Sequence, residues 1–303
     1  MTICAALRTA VQTFMKAWLL AIRPKTLWAS VAPVLIGTAM AYGDGVSHFP
    51  SALAALLGAL FVQVGTNLAN DYFDGKSGVD APDRKGPVRV TQSGLIAPVA
   101  VKWAFILCFF AAGLVSSYLV ARAGMPVLVI GVVSILSGLL YTAGPRPLSH
   151  LGLGDIFVLV FFGPVAVAGT YFVQSFEFNN AVLVAGLAPG LFSAAILAVN
   201  NLRDIETDHR AGKRTLAVRF GKAFVRMEYL FCVVLACFIP AIVFLITAQL
   251  PMVFLSSLVF FFLLPVINTV FTSDDGEALN NALARTSQAL FIYAVIFSVA
   301  WVL

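Results

Sequence analysis

The sequence has little charge. Asp, Glu, Lys and Arg make up 11% of its residues, against roughly 25% in soluble domains, and mean hydropathy is +0.96. So few charges exclude a soluble globular domain and leave a chain of 60% hydrophobic residues to fill bilayer-spanning segments. Histidine is scarcer still. His48, His150 and His209 stand far apart in sequence, which argues against a zinc site. The four cysteines are Cys4, Cys108, Cys232 and Cys237. They form no ligand-like pair, and three lie in apolar runs, where cysteine behaves as a small buried hydrophobe.

Long apolar runs are abundant. Nine are long enough to cross a bilayer, near residues 26–43, 52–71, 99–121, 126–143, 155–174, 181–201, 227–248, 251–271 and 283–303. The fold class is therefore an all-α membrane protein of nine transmembrane helices, forming one domain over residues 1–303. Residues 1–22 carry Arg8 and Lys16 among apolar side chains and read as an interfacial helix. No clear small-residue cleavage site precedes Arg23, which disfavours a signal peptide. With the N-terminus in the cytoplasm, the N-terminal tail and the loops after spans two, four, six and eight, with adjoining helix ends, hold four, five, one, seven and one basic residues. That is eighteen of nineteen, all but Arg122. The positive-inside rule sets this orientation. It also explains the net charge of +5 without nucleic acid as a partner.

Two polar clusters close apolar runs at cytoplasmic ends. In the first, Asn67, Asn70, Asp71 and Asp74 stand at i, i+3, i+4 and i+7, the spacing of one helical face. In the second, Asn200, Asp204 and Asp208 repeat the pattern, with Arg203 among them. Two stretches expected as long cytoplasmic loops follow, 75–98 and 205–226. They carry basic residues including Arg84, Arg89 and Lys213. The Asn-x-x-x-Asp match at 67–71 and 200–204 suggests a parallel repeat of four helices. Paired carboxylate and carboxamide oxygens suit hard cations such as Mg²⁺. Ionisable groups at membrane depth mark function. Mg²⁺ with neighbouring Arg and Lys would hold a diphosphate, and the bilayer would take an apolar tail on it.

On these residues the chain resembles the UbiA-type intramembrane aromatic prenyltransferases. The resemblance covers most of the chain. It rests on Arg-Pro-Lys-Thr at 23–26, Ala-Pro-Val-Leu-Ile-Gly-Thr-Ala at 32–39, and Asn-Leu-Ala-Asn-Asp-Tyr-Phe-Asp at 67–74. Asp-Arg-Lys-Gly-Pro-Val-Arg at 83–89, Gln-Ser-Gly-Leu-Ile at 92–96 and Tyr-Thr-Ala-Gly-Pro at 141–145 extend it. Leu-Gly-Leu-Gly-Asp-Ile-Phe at 151–157 and the stretch 200–219 point to the branch acting on 1,4-dihydroxy-2-naphthoate in menaquinone biosynthesis. Two departures stand out: Gly78 replaces a third aspartate, and Asp155 stands where glutamate is expected in close relatives.

The resemblance implies a horseshoe of nine helices around a central cavity open to lipid, and two Mg²⁺ bridging the motifs. It implies transfer of a polyprenyl group from an allylic polyprenyl diphosphate to dihydroxynaphthoate, releasing CO₂ and diphosphate and leading to demethylmenaquinone. Carried over residue by residue, Asn67, Asn70, Asp71, Asp74, Asn200, Asp204 and Asp208 form the metal and diphosphate shell, with the four aspartates catalytic. Asn70 is a substrate contact within it. Lys25, Arg84, Arg89, Arg203 and Lys213 are expected diphosphate or carboxylate contacts, and Tyr141 lies near the aromatic substrate. The implied location is a bacterial cytoplasmic membrane, with the site facing the cytoplasm. Alternatives are another aromatic acceptor, such as 4-hydroxybenzoate or homogentisate, and, more distantly, a cation-coupled transporter. The clusters at helix ends and the parallel repeat speak against the transporter.

The basic asymmetry predicts that a reporter active only outside the cytoplasm is active when fused after Leu303 and silent when inserted near Gly212. The reverse pattern would overturn the orientation.

Overall fold

The computed structural model describes residues 2–77, 86, 88–144, 147–248 and 251–303, with the side chains of 2–11, 76 and 77 outside the description. Every regular element among the described residues is helical. In chain order these are α1 (Thr2–Ile22), α2 (Pro24–Gly43), α3 (Phe49–Ser77), α4 (Pro98–Ala123), α5 (Met125–Leu140), α6 (Gly154–Val160), α7 (Ala166–Ser175), α8 (Asn180–Arg210), α9 (Leu216–Thr247), α10 (Val259–Thr272) and α11 (Gly276–Val302). A π-turn, Phe161–Val165, joins α6 to α7, and a 3₁₀ segment, Pro251–Leu258, leads into α10.

Eight of the described helical segments are long and apolar enough to cross a membrane. α5 is shorter, at 16 residues. At about 1.5 Å per residue it spans roughly 24 Å, and a turn at 141–144 follows it. Each of the nine expected spans falls on one of these segments.

The expected loops are corrected. α8 runs on to Arg210 and α9 begins at Leu216, leaving only 211–215 between them instead of 205–226. Hydrophobicity drops after Val199, but the backbone stays helical to Arg210. Gly212, at φ 71°, makes the turn, and the Thr215 side chain accepts from Val218 N at 3.3 Å to cap α9. Likewise α3 continues to Ser77, and 90–95 form turns before α4. Arg84, with Asp80 and Asp83, lies outside the described residues.

α8 is the central post. Twenty of its residues are buried, many of them Ala or Gly, and it packs among α2, α9 and α11 in the main apolar cluster. Small residues allow such close approach between membrane helices. A second cluster joins Ala17 and Ala21 of α1 to Leu68 and Ala69 of α3 and to Val101 and Phe105 of α4. Phe14, Met15, Leu19 and Leu20 of α1 are exposed. Leu107, Phe110 and Leu114 on α4, Val129 and Val132 on α5, and Phe231, Phe238 and Leu245 on α9 form an apolar outer surface.

The π-turn matters for the site. Pro164 removes a backbone donor, and Gly163 leaves helical geometry at φ −114°, ψ −113°. α8 accommodates this bend with Gly186 and Gly190. A Cβ on Gly186 would lie 2.7 Å from Pro164 Cα, and one on Gly190 would meet the Leu159 carbonyl and lie 3.1 Å from Gly163 Cα. Both contacts are with backbone, which cannot rotate away. Gly190→Val is therefore expected to destabilise the detergent-solubilised protein by about 1–3 kcal/mol or more. A thermal melt equal to wild type would contradict this packing.

Candidate active site

α3 and α8 bring the two polar clusters to one cavity of about 430 Å³. Asn67, Asn70, Asp74, Asn200, Asp204 and Asp208 all line it, with Arg89, Lys213 and Tyr141. Deeper walls are apolar, from Val34, Ala59, Val62, Ile130, Phe161 and Val165. One cavity thus has an acidic end and a hydrocarbon end.

Lys213 links the two clusters. Its Nζ lies 3.4 Å from Asp208 Oδ1 and 3.9 Å from Asp74 Oδ2. The short 211–215 connection carries it there, with Lys213 N donating to Asp208 O at 2.9 Å. Asp74 also accepts from Arg89 Nη2 at 2.5 Å. Asp204 is held from behind by Arg203, whose Nε and Nη2 donate to its two oxygens at 2.8 and 2.6 Å. That bidentate fork is the strong form of such a pair. Arg203 donates further to Asn200 Oδ1 at 2.8 Å and to Asn280 Oδ1 of α11 at 2.6 Å. Asn67 donates from Nδ2 to Ile22 O at 2.9 Å and to Thr26 Oγ1 at 3.3 Å, fixing α3 to the start of α2. Burial and then the Lys213 ammonium push His150 below its ordinary value, against a smaller opposing pull from Asp74. It therefore adds no positive charge at neutral pH.

Three expected site residues sit elsewhere. Asp71 does not line the cavity. Its carboxylate accepts from Val90 N at 3.0 Å and Thr91 N at 2.9 Å, and also from Thr91 Oγ1. It fastens the turn carrying Arg89 to α3. Arg203 is buried behind the cavity wall. Lys25 is exposed, whereas Arg23 lines the cavity. Arg23 holds a left-handed conformation, φ 56°, just before Pro24 opens α2, and this turns it inward while Lys25 points out. Sequence reasoning passed over Gln63 and Thr207, which line the cavity, and noted Asp155 only as a departure from an expected glutamate, although it lines the cavity too. Asp155 carried a readable signal, a lone carboxylate opening an apolar run.

Among the described residues no three His, Cys, Asp or Glu side chains form a metal cage. Mg²⁺ needs none, since it takes one or two carboxylates and completes its shell with water and substrate phosphate. Hard oxygens from both motifs facing one cavity, with an ammonium already resting between two of them, fit that requirement.

The model of the UbiA prenyltransferase family matches residues 30–301. The chain belongs to this family. It is an integral membrane prenyltransferase, and its likeness to individual UbiA proteins is substantial. It is 34% identical over 301 residues to the 1,4-dihydroxy-2-naphthoate octaprenyltransferase of Haemophilus influenzae, covering 94% of this chain and 95% of that one. The protein of the same description from Escherichia coli is 42% identical over 219 residues, 70% of each chain. Among solved structures, a UbiA homolog from Archaeoglobus fulgidus bound to DMAPP and Mg²⁺ matches with a TM-score of 0.62 at 16% identity. The match covers 93% of this chain and 99% of that one, and supports the shared fold.

The Asp71 contacts generate a test that separates it from the cavity acids. Asp71→Ala leaves two buried backbone N–H groups unsatisfied, at about 1–3 kcal/mol each, so limited proteolysis should cut faster between Val90 and Ile96. Asp208→Ala should leave that region as resistant as in wild type. Equal protection in both variants would refute the fastening role.

Proposed function

We propose that this chain transfers a polyprenyl group from an allylic polyprenyl diphosphate to 1,4-dihydroxy-2-naphthoate, releasing diphosphate and CO₂. The observation that carries the reading is the single cavity in which Lys213 joins Asp74 and Asp208 at one end and apolar side chains line the other. The descriptions of the bacterial relatives support this choice of acceptor.

Each part of the cavity has a task. Lys213, Arg89 and Arg23 meet the negative charge of the diphosphate. Asp74, Asp204 and Asp208, with Asn67, Asn70 and Asn200, would hold two Mg²⁺ ions. Bound there, Mg²⁺ offsets the charge that grows on the departing diphosphate. Arg203 keeps Asp204 and Asn200 in place through its fork. Asp71 acts indirectly, by holding the turn that delivers Arg89. The apolar wall takes the prenyl tail and keeps water from the allylic carbon as its bond to oxygen weakens. The cavity mouth faces the cytoplasm, where a water-soluble acceptor and diphosphate can pass, and the membrane is the cytoplasmic membrane of a bacterium.

The chemistry separates the acceptors. Attack at the carboxylate-bearing ring carbon expels CO₂ as the ring regains aromaticity, whereas a hydroxybenzoate loses a proton and keeps its carboxylate. Purified protein with Mg²⁺ and polyprenyl diphosphate should therefore release one labelled CO₂ per prenylated product from carboxyl-labelled dihydroxynaphthoate. Chelator should stop the reaction and Mg²⁺ restore it. Asp74→Asn and Asp208→Asn should each lower turnover by about 10²-fold or more. Product that retains its carboxylate, or forms only from hydroxybenzoate, would reject the acceptor.

A further inference from the structure

Asp155 is an acid that the roles above leave unused. It stands near the start of α6, lines the same cavity as Asp74 and Asp208, and is 7% exposed. Its Oδ1 is buried with no hydrogen-bond partner. Among the described residues no lysine or arginine pairs with it. Buried acceptors are rarely left unmade, because the lost hydration is not returned. An unmet acceptor on a cavity wall therefore points to a donor that arrives with a ligand.

The surroundings define that donor. Glycine at 154 lets the Tyr141 ring and hydroxyl approach the backbone beside Asp155, since a Cβ there would lie 3.3 Å from the tyrosine oxygen. Tyr141 is within electrostatic reach of Asp155, Asp208 and Asp74. An unmet carboxylate oxygen accepts a hydrogen bond and repels an anion, so the incoming group is an O–H or N–H and not a carboxylate. An aromatic side chain beside the acceptor suits a flat hydroxyarene.

We propose that Asp155 is a catalytic residue that receives the hydroxyl next to the attacked ring carbon and takes its proton as the new bond forms. The inference rests on the prenyl-transfer reading and adds a proton acceptor and an orientation to it. The allylic C–O bond breaks and its electron pair leaves on diphosphate. A ring π pair at the carboxylate-bearing carbon forms the new C–C bond. The adjacent hydroxyl becomes a carbonyl as its proton passes to Asp155. The bond to the carboxylate then breaks, CO₂ departs, and the freed pair restores the ring while the oxygen takes its proton back.

The test uses the full-length protein, Asp155→Asn and Asp155→Glu, with dihydroxynaphthoate and its monomethyl ether blocked at the hydroxyl beside the carboxylate. In D155N, kcat should fall by about 10²-fold with KM for the prenyl diphosphate within twofold of wild type, and D155E should recover to within about tenfold. The ether should react with wild type as slowly as the free compound reacts with D155N, and D155N should lose nothing more on the ether. Wild-type turnover by D155N, additive losses, or an equal loss of prenyl diphosphate affinity would overturn the proposal. If D155N does not fold, wild type decides alone, since full turnover of the ether would overturn it. If wild type accepts only a different hydroxyarene, the acceptor reading fails, and the same variants tested on that arene still decide the role of Asp155.

Discussion

Carboxylates at the edge of a bilayer cannot share a small cavity unless positive charge is placed against each of them. Coulomb repulsion between unit charges a few ångströms apart grows as the effective dielectric falls. Asp74, Asp204 and Asp208 line one cavity, and Arg89, Arg203 and Lys213 answer them in turn. These pairs are mostly buried, and removing one partner of a buried pair costs about 3–5 kcal/mol. The arrangement of α3, α8 and the connection after α8 follows from this requirement. Arg203 extends it to α11 through Asn280, so charge balance at the site also fastens the helix that closes the bundle.

The same cavity needs an apolar interior deep in the bundle, and the packing of α8 provides its frame. Gly186 and Gly190 let the bent α6–α7 segment lie against it, while Phe161, Phe162 and Val165 at the bend line the cavity. The bend is a local consequence of Pro164, yet its place shapes the cavity. A straight helix would present a different set of side chains at that depth.

Much of this was legible in sequence because the bilayer forces a simple code. Each of the nine apolar runs corresponds to a helical segment, since a backbone in hydrocarbon must satisfy its own hydrogen bonds. The motif spacing also identified most of the cavity oxygens. It failed at Asp71 for a geometric reason. At about 100° per residue, Asp71 sits roughly 40° around from Asn67, on the opposite side from Asn70 and Asp74, and there it meets the Val90–Thr91 turn. Loops were overextended because polarity marked their limits, and Ile-Glu-Thr-Asp-His-Arg at 205–210 stays helical in spite of its polarity. Lys25 was preferred over Arg23 although only the left-handed backbone at Arg23 decides which of the two turns inward.

By itself the sequence determined the membrane class, the helical segments and the two clusters of oxygen donors, because those depend on hydrophobic length and on periodicity along one helix. Tertiary structure decided which carboxylate lines the cavity, which basic residue answers which acid, and that Asp155 Oδ1 is left without a hydrogen-bond partner on the cavity wall. Such facts depend on distances between α2, α3, α6 and α8. No spacing along a chain encodes the rotation of one helix relative to another, so only packing could assign them.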